Sequence, residues 1–115
     1  MPTEIIEIAV CPGSREGLKI LRIKGPLNIR TVFDFQNAVR ADVSPALVVD
    51  FSFVPYIDST GLGALVGAHL AAERANRRLA FAAMNTQVSA LVEMTHVNQF
   101  FGIYRTIEEA ESAIS

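Results

Sequence analysis

Hydrophobic and polar positions change period several times along this chain, and each change predicts an element. Glu4 to Val10 alternates in part and is rich in isoleucine, which predicts a strand. Pro12-Gly13-Ser14-Arg15-Glu16-Gly17 reads as a turn. Leu18 to Lys24 sets Leu18, Ile20 and Arg22 against Lys19, Leu21 and Ile23, and Gly25-Pro26 closes it. It reads as a second strand, antiparallel to the first through a hairpin. Asn28 is a candidate N-cap, because its side-chain oxygen can accept from an unpaired helix N–H. Val32, Phe33, Phe35 and Val39 then recur with rough helical spacing up to Ala41.

After the break at Asp42-Val43-Ser44-Pro45, Ala46 to Phe51 is a short apolar run of the kind found in a central strand buried on both faces. Ser52 to Ile57 is predicted as a loop, unusually apolar, with Phe53, Val54, Tyr56 and Ile57 around Pro55. A helix follows from Ser59 or Thr60 to about Asn76, with Leu62, Leu65, Val66, His69 and Leu70 on one face. Glu73 and Arg77 have the spacing of an i, i+4 ion pair. Arg78 to Met84 reads as a strand, and Asn85 or Thr86 caps a helix carrying Val88, Leu91 and Val92 that ends between Thr95 and Asn98. Gly102 to Arg105 is a short last strand. Thr106-Ile107-Glu108-Glu109 has the form of a capping box before a terminal helix with Ala110, Ala113 and Ile114. The order β, β, α, β, α, β, α, β, α predicts a single α/β domain over residues 1–115. Its sheet is mixed and mostly parallel, of four to five strands, with four helices and an N-terminal hairpin.

Composition narrows the function classes. Of 115 residues, 50% are hydrophobic and 19% charged, which is the balance of a folded globular protein. A net charge of −2 with no basic run argues against a nucleic-acid partner. The single cysteine, Cys11, cannot form an internal disulfide and reads as a small apolar residue at a strand end. No basic region followed by an apolar core opens the chain, and no apolar run reaches the roughly 20 residues that cross a bilayer. The longest, Gly61 to Ala72, contains His69 and is followed by Glu73, Arg74, Arg77 and Arg78, as a buried helix face would be. The expectation is a cytoplasmic domain with no direct membrane insertion.

Most chemical motifs fail on spacing. Gly61, Gly63 and Gly67 lack the dinucleotide fingerprint, and no Gly-Lys-Ser/Thr phosphate loop exists. His69 and His96 have no acidic or cysteine cluster at metal spacing, so no metal or cofactor is expected. Asp58-Ser59-Thr60-Gly61 has one residue too many for an aspartic protease loop, and a nucleophilic Ser59 has no visible general base. The chain is not expected to be an enzyme.

What remains is Asp58-Ser59-Thr60-Gly61-Leu62-Gly63, where an apolar strand and loop hand over to a helix. Capping alone explains Asp, Ser and Thr there, and an acid near a helix N-terminus stabilises it by about 0.3–1 kcal/mol. Capping does not explain glycines in the first turn, each costing up to about 1 kcal/mol against alanine. Missing side chains there let another surface approach closely. The apolar residues Phe53, Val54 and Tyr56 beside a hydroxyl point to a docking surface. Phosphate on Ser59 would meet free N–H groups and add about −1.5 to −2 charges beside Asp58.

On these residues the chain resembles the STAS domains, and within them the bacterial anti-sigma factor antagonists. The likeness spans about residues 4 to 114. It is strongest from Leu47 to Leu65, where an apolar strand ends in Asp50-Phe51-Ser52 and a short loop leads to Asp58-Ser59-Thr60-Gly61-Leu62. Gly25-Pro26-Leu27-Asn28, the Arg78-to-Met84 strand and the Val88-to-Phe101 segment support it. The resemblance implies a STAS-like fold and a phosphoacceptor at Ser59, with Thr60 as a minor alternative. It implies that an unphosphorylated antagonist docks on an anti-sigma factor that is also a serine kinase of the histidine-kinase-like ATPase type, releasing a sigma factor. Phosphorylation ends the complex and a serine phosphatase resets it. The implied partner-binding residues are Asn28, Phe53, Val54, Tyr56, Asp58, Ser59, Thr60, Gly61, Leu62 and Gly63, with Asp58 as electrostatic neighbour and Thr60 as helix cap. The family often has aspartate where this chain has Asn28, a difference that bears on kinase recognition. The alternative within the family is a scaffold subunit of a stress-sensing complex or a cytoplasmic subunit of a lipid-transport ABC system.

Overall fold

Residues Ala46 to Phe51 are all buried, and their strand is the middle of the sheet. In the computed structural model, which describes residues 5–99 and 101–114, five strands lie side by side in chain order. They are β1 (Glu7–Pro12), β2 (Leu18–Lys24), β3 (Ala46–Phe53), β4 (Arg78–Ala82) and β5 (Gly102–Tyr104). β1 pairs antiparallel with β2 as the predicted hairpin, and β2 to β5 are parallel. The helices α1 (Val32–Ala41), α2 (Ser59–Arg74), α3 (Thr86–Met94) and α4 (Ile107–Ala113) connect or follow the strands, with a short 3-10 turn at Val97–Gln99.

Strand alternation sends side chains to both faces, so β3 builds two cores. Leu47, Val49 and Phe51 meet Val32, Phe35 and Val39 of α1, Leu62, Leu65 and Ala68 of α2, and Val88 and Val92 of α3. Ala46 and Val48 face the other way, with Leu18, Ala80 and Ala82, under Ala110 and Ile114 at the α4 end of the chain. The first core is the larger. Phe51, Phe81 and Phe101 stack through it edge to face, with ring centroids 5.9 and 5.1 Å apart.

Several local expectations change. The sequence predicts the first strand over Glu4 to Val10; Glu4 lies outside the described residues, and the strand spans Glu7–Pro12, starting later and running further than predicted. Ser52 and Phe53 belong to β3, not to the loop. β4 stops at Ala82 and β5 at Tyr104, each a little short of prediction. In α2 the buried line is Gly61, Leu62, Ala64, Leu65, Ala68 and Ala72, while Leu70 is 45% exposed. Large side chains misled the reading, because the α1–α2 contact takes small ones. Arg77 does not pair with Glu73. It reaches Asp42 at 2.7 Å and the Ser44 carbonyl at 2.8 Å, while Glu73 lies 3.4 Å from His69. The tertiary partner is less exposed than the helical one, so it binds the guanidinium better. Thr106 caps α4 through the Glu109 N–H as predicted.

Candidate functional site

The start of α2 is assembled from two loops at the carboxyl ends of β2 and β3. Leu27 and Ile57 form an isolated parallel bridge between them. The Leu27 N–H donates to the Tyr56 carbonyl at 3.1 Å, and the Asp58 N–H to the Leu27 carbonyl at 3.2 Å. Asp58 is the N-cap of α2. Its Oδ1 accepts from the Gly61 N–H at 2.8 Å, and its Oδ2 accepts from the Ile29 N–H at 3.3 Å. One carboxylate thus caps its own helix and ties down the neighbouring loop. Thr60 lies inside the first turn and is not the cap.

Asn28 is 5% exposed and is not the N-cap of α1, a position held by Thr31. Its Oδ1 accepts from the Arg30 N–H at 2.9 Å, and its Nδ2 donates to the Tyr56 hydroxyl at 3.3 Å. Asn28 therefore acts as a brace inside the site. Asn85 is a third brace that the sequence reading saw only as a cap. Its Oδ1 accepts from the Val88 N–H, and its Nδ2 donates to the carbonyls of Val54 at 3.2 Å and Pro55 at 3.0 Å.

Ser59 is exposed as the first residue of α2, and among the described residues its hydroxyl makes no hydrogen bond. A helix start leaves the first N–H groups to solvent at its positive end, beside that hydroxyl. Phe53, the last residue of β3, is 55% exposed, and Tyr56 in the loop that follows is 41% exposed; with residues 54–58 they form the approach loop to α2. Val54 points inward at 1% exposure, and Leu62 at 8% belongs to the core. Neither side chain faces outward. Gly61 is also buried: a Cβ there would sit 2.3 Å from the Leu27 carbonyl oxygen. Its bareness serves the protein's own packing, contrary to the expected access for a partner. A Cβ on Gly63 would meet nothing within 4 Å.

Ile29, Phe33 and Met94, at 66, 68 and 73% exposure, are among the exposed apolar residues outside the predicted set. Phe33 had a legible signal, since Val32, Phe35 and Val39 share a helix face that Phe33 leaves. Met94 and Tyr56 line a shallow depression of about 410 Å³ with Ile57, Gln87, Ala90 and Leu91. Among the described residues no group of three or more His, Cys, Asp or Glu side chains could hold a metal ion, and no helix is long and apolar enough to cross a membrane.

The STAS domain family model matches residues 13–110. An anti-sigma factor antagonist from Mycobacterium paratuberculosis is 24% identical, with 95% of this chain and 93% of that one covered at a TM-score of 0.81. A sulfate transporter family protein from Wolinella succinogenes is 17% identical, covering 90% and 88% at a TM-score of 0.73. The Bacillus cell fate determinant SpoIIAA in its phosphorylated form is 15% identical, covering 95% and 100% at a TM-score of 0.66. At these identities the likeness to the solved structures is one of fold.

Proposed function

The chain belongs to the STAS domain family, and from that premise we propose that it is an anti-sigma factor antagonist switched by phosphorylation of Ser59. The observation that carries this reading is the setting of Ser59: an exposed hydroxyl without an internal hydrogen bond, on a braced helix start, next to exposed Phe53 and Tyr56. The likeness to antagonist structures, one of them phosphorylated, supports it. The partner is an anti-sigma factor that is also a serine kinase of the histidine-kinase-like ATPase type, acting in the cytoplasm on ATP. A serine phosphatase resets the switch. The chain itself is substrate and ligand, not enzyme.

The switch works by cost of burial. In the unphosphorylated form the partner covers Ser59, Asp58, Gly63 and the apolar approach loop, burying a neutral hydroxyl. Transfer of the ATP γ-phosphoryl group to Ser59 Oγ, with loss of the hydroxyl proton and departure of ADP, puts a multiply charged group beside Asp58. Desolvation and like-charge repulsion then oppose the complex. About 1.4 kcal/mol is tenfold in affinity, so a few kcal/mol releases the partner. The braces around Asp58 let this happen without a change of fold.

Co-incubation with candidate anti-sigma kinases and ATP, followed by mass mapping, should find phosphate on Ser59. Ser59→Ala should stay bound to the kinase in the presence of ATP, and Ser59→Asp should bind at least tenfold more weakly. Wild-type affinity in both variants, or phosphate elsewhere, would sink the proposal. Stable capture of transport subunits instead would favour the scaffold or transporter role, to which the fold likeness to a sulfate transporter family protein also points.

A further inference from the structure

On the face of the sheet opposite α2, a polar cluster built around the buried Asp50 sits behind the approach loop, with Arg22 half-buried and Ser52 exposed. Asp50 is 1% exposed, and its two oxygens are both used. Oδ2 accepts from Arg22 Nε at 3.2 Å, and Oδ1 accepts from the Ser52 N–H at 2.9 Å and from the Ser52 hydroxyl. Arg22 opposite Asp50 is the last regular rung between β2 and β3. The next pairing is Lys24 with Phe53, so two steps of β2 match three of β3. β3 therefore carries a bulge at Phe51–Ser52, and bulges next to sites re-aim side chains.

The bulge decides which residue faces the partner. Leu47, Val49 and Phe51 all point into the larger core. Strict alternation would send Phe53 after them and turn Val54 away. The reverse is observed: Val54 is 1% exposed, and Phe53 is 55% exposed with the Lys24 ammonium 5.4 Å from its ring centroid. The Val54 N–H closes the kink by donating to the Phe51 carbonyl at 3.0 Å, and the Gly25 N–H donates to the Phe53 carbonyl of the shifted strand at 2.9 Å. The Asp50 carboxylate, by accepting the Ser52 N–H two residues on, is the side-chain acceptor that holds the chain in that turn.

We propose that Arg22, Asp50 and Ser52 form a positioning clamp that builds this bulge and so delivers Phe53 and the loop to Asp58 onto the docking surface. Arg22 offsets the charge that Asp50 carries into the fold, and Asp50 Oδ1 holds Ser52. None of them need touch the partner. The idea that the delivered surface is a partner surface rests on the function proposed above; the clamp itself does not.

The test separates position from stability. Replacing both members of the pair by apolar residues of similar size leaves no uncompensated charge at the buried Asp50 position, and such double replacements are often neutral or stabilising. Arg22→Met combined with Asp50→Leu should thus keep a cooperative fold yet lose the acceptor for Ser52. Amide NMR shifts of Ser52 to Asp58 should move, the Ser52 amide should exchange with solvent at least tenfold faster, and affinity for the anti-sigma kinase should fall at least tenfold. Asp50→Asn breaks the ion pair but keeps an oxygen for the Ser52 N–H. It should lose stability while holding those shifts and keeping affinity within about threefold. A double variant that keeps wild-type shifts at residues 52–54 overturns the clamp. So does an Asp50→Asn variant whose shifts and affinity collapse with its stability. If the wild type binds no anti-sigma kinase, the functional proposal falls, and the NMR and exchange readouts still decide the clamp.

Discussion

The two glycines in the first turns of α2 offer the sharpest test of how the site is built, because the same change should act in opposite directions at each. In Gly61→Ala the new Cβ meets the Leu27 carbonyl oxygen at 2.3 Å, the Leu27 carbonyl carbon at 3.1 Å and Ile57 Cβ at 3.3 Å. The first two are backbone and cannot swing aside. To reach an ordinary contact the helix start must retreat by about 1 Å, which strains the Asp58 N–H bond to Leu27 and the Asp58 cap on residue 61. Alanine gains about 1 kcal/mol of helix preference, overpacking costs about 1–3 kcal/mol, and a loosened cap costs about 1 kcal/mol. The balance is a loss of about 1–3 kcal/mol. In Gly63→Ala the Cβ meets nothing within 4 Å, so only the helix gain of up to about 1 kcal/mol remains. For a domain of this length 1 kcal/mol moves the thermal midpoint by about 4 °C. Thermal and urea unfolding followed by circular dichroism should show Gly61→Ala lowered and Gly63→Ala raised. Shifts of the same sign would refute the account of the helix start. Because Gly63 is open to solvent, its stabilised variant should also weaken docking of the proposed kinase.

Two further outcomes check other braces. Asn85→Ala should lose about 1–2 kcal/mol and speed amide exchange in the approach loop. Asn85→Asp should keep the α3 cap yet still free the loop, since it lacks the donor to Val54 and Pro55; equal protection in all three proteins would discount that brace. Arg77→Met should cost about 1–3 kcal/mol by stranding Asp42 and the Ser44 carbonyl, while Glu73→Ala should stay within about 0.5 kcal/mol. Urea midpoints in the reverse order would show that the local pair dominates.

The sequence carried the element order because periodicity is local, and β2, read as Leu18 to Lys24, matches residue for residue. It also placed Ser59 at the head of α2, since Asp58, Ser59 and Thr60 are cap-forming types beside an apolar helix. What escaped it depends on partners distant in the chain. Gly61 reads as an open door until Leu27 is seen against it. Val54 and Phe53 look equally exposed until the extra residue in β3 reverses their faces. Arg77 has Glu73 at helical spacing, and only the fold brings Asp42 nearer. Asn28 has the chemistry of a cap, but the Tyr56 hydroxyl and the Arg30 N–H engage its amide.

The approach loop is fastened at Leu27 and, through Asp58, at Ile29, both in the β2–α1 connection, and at Asn85 at the head of α3. That fastening has a bearing on timing. A loop held by such internal bonds has little ordering left to complete before a partner recognises it, so encounter need not wait for the loop to form. Association can then run at the rate of ordinary docking, about 10⁵–10⁷ M⁻¹s⁻¹. Under the proposed switch, the lifetime of a complex, not the speed of its formation, would be the quantity that a phosphate on Ser59 adjusts. A signal read through such a surface is delayed by the chemistry that adds or removes the phosphate, and not by the surface itself.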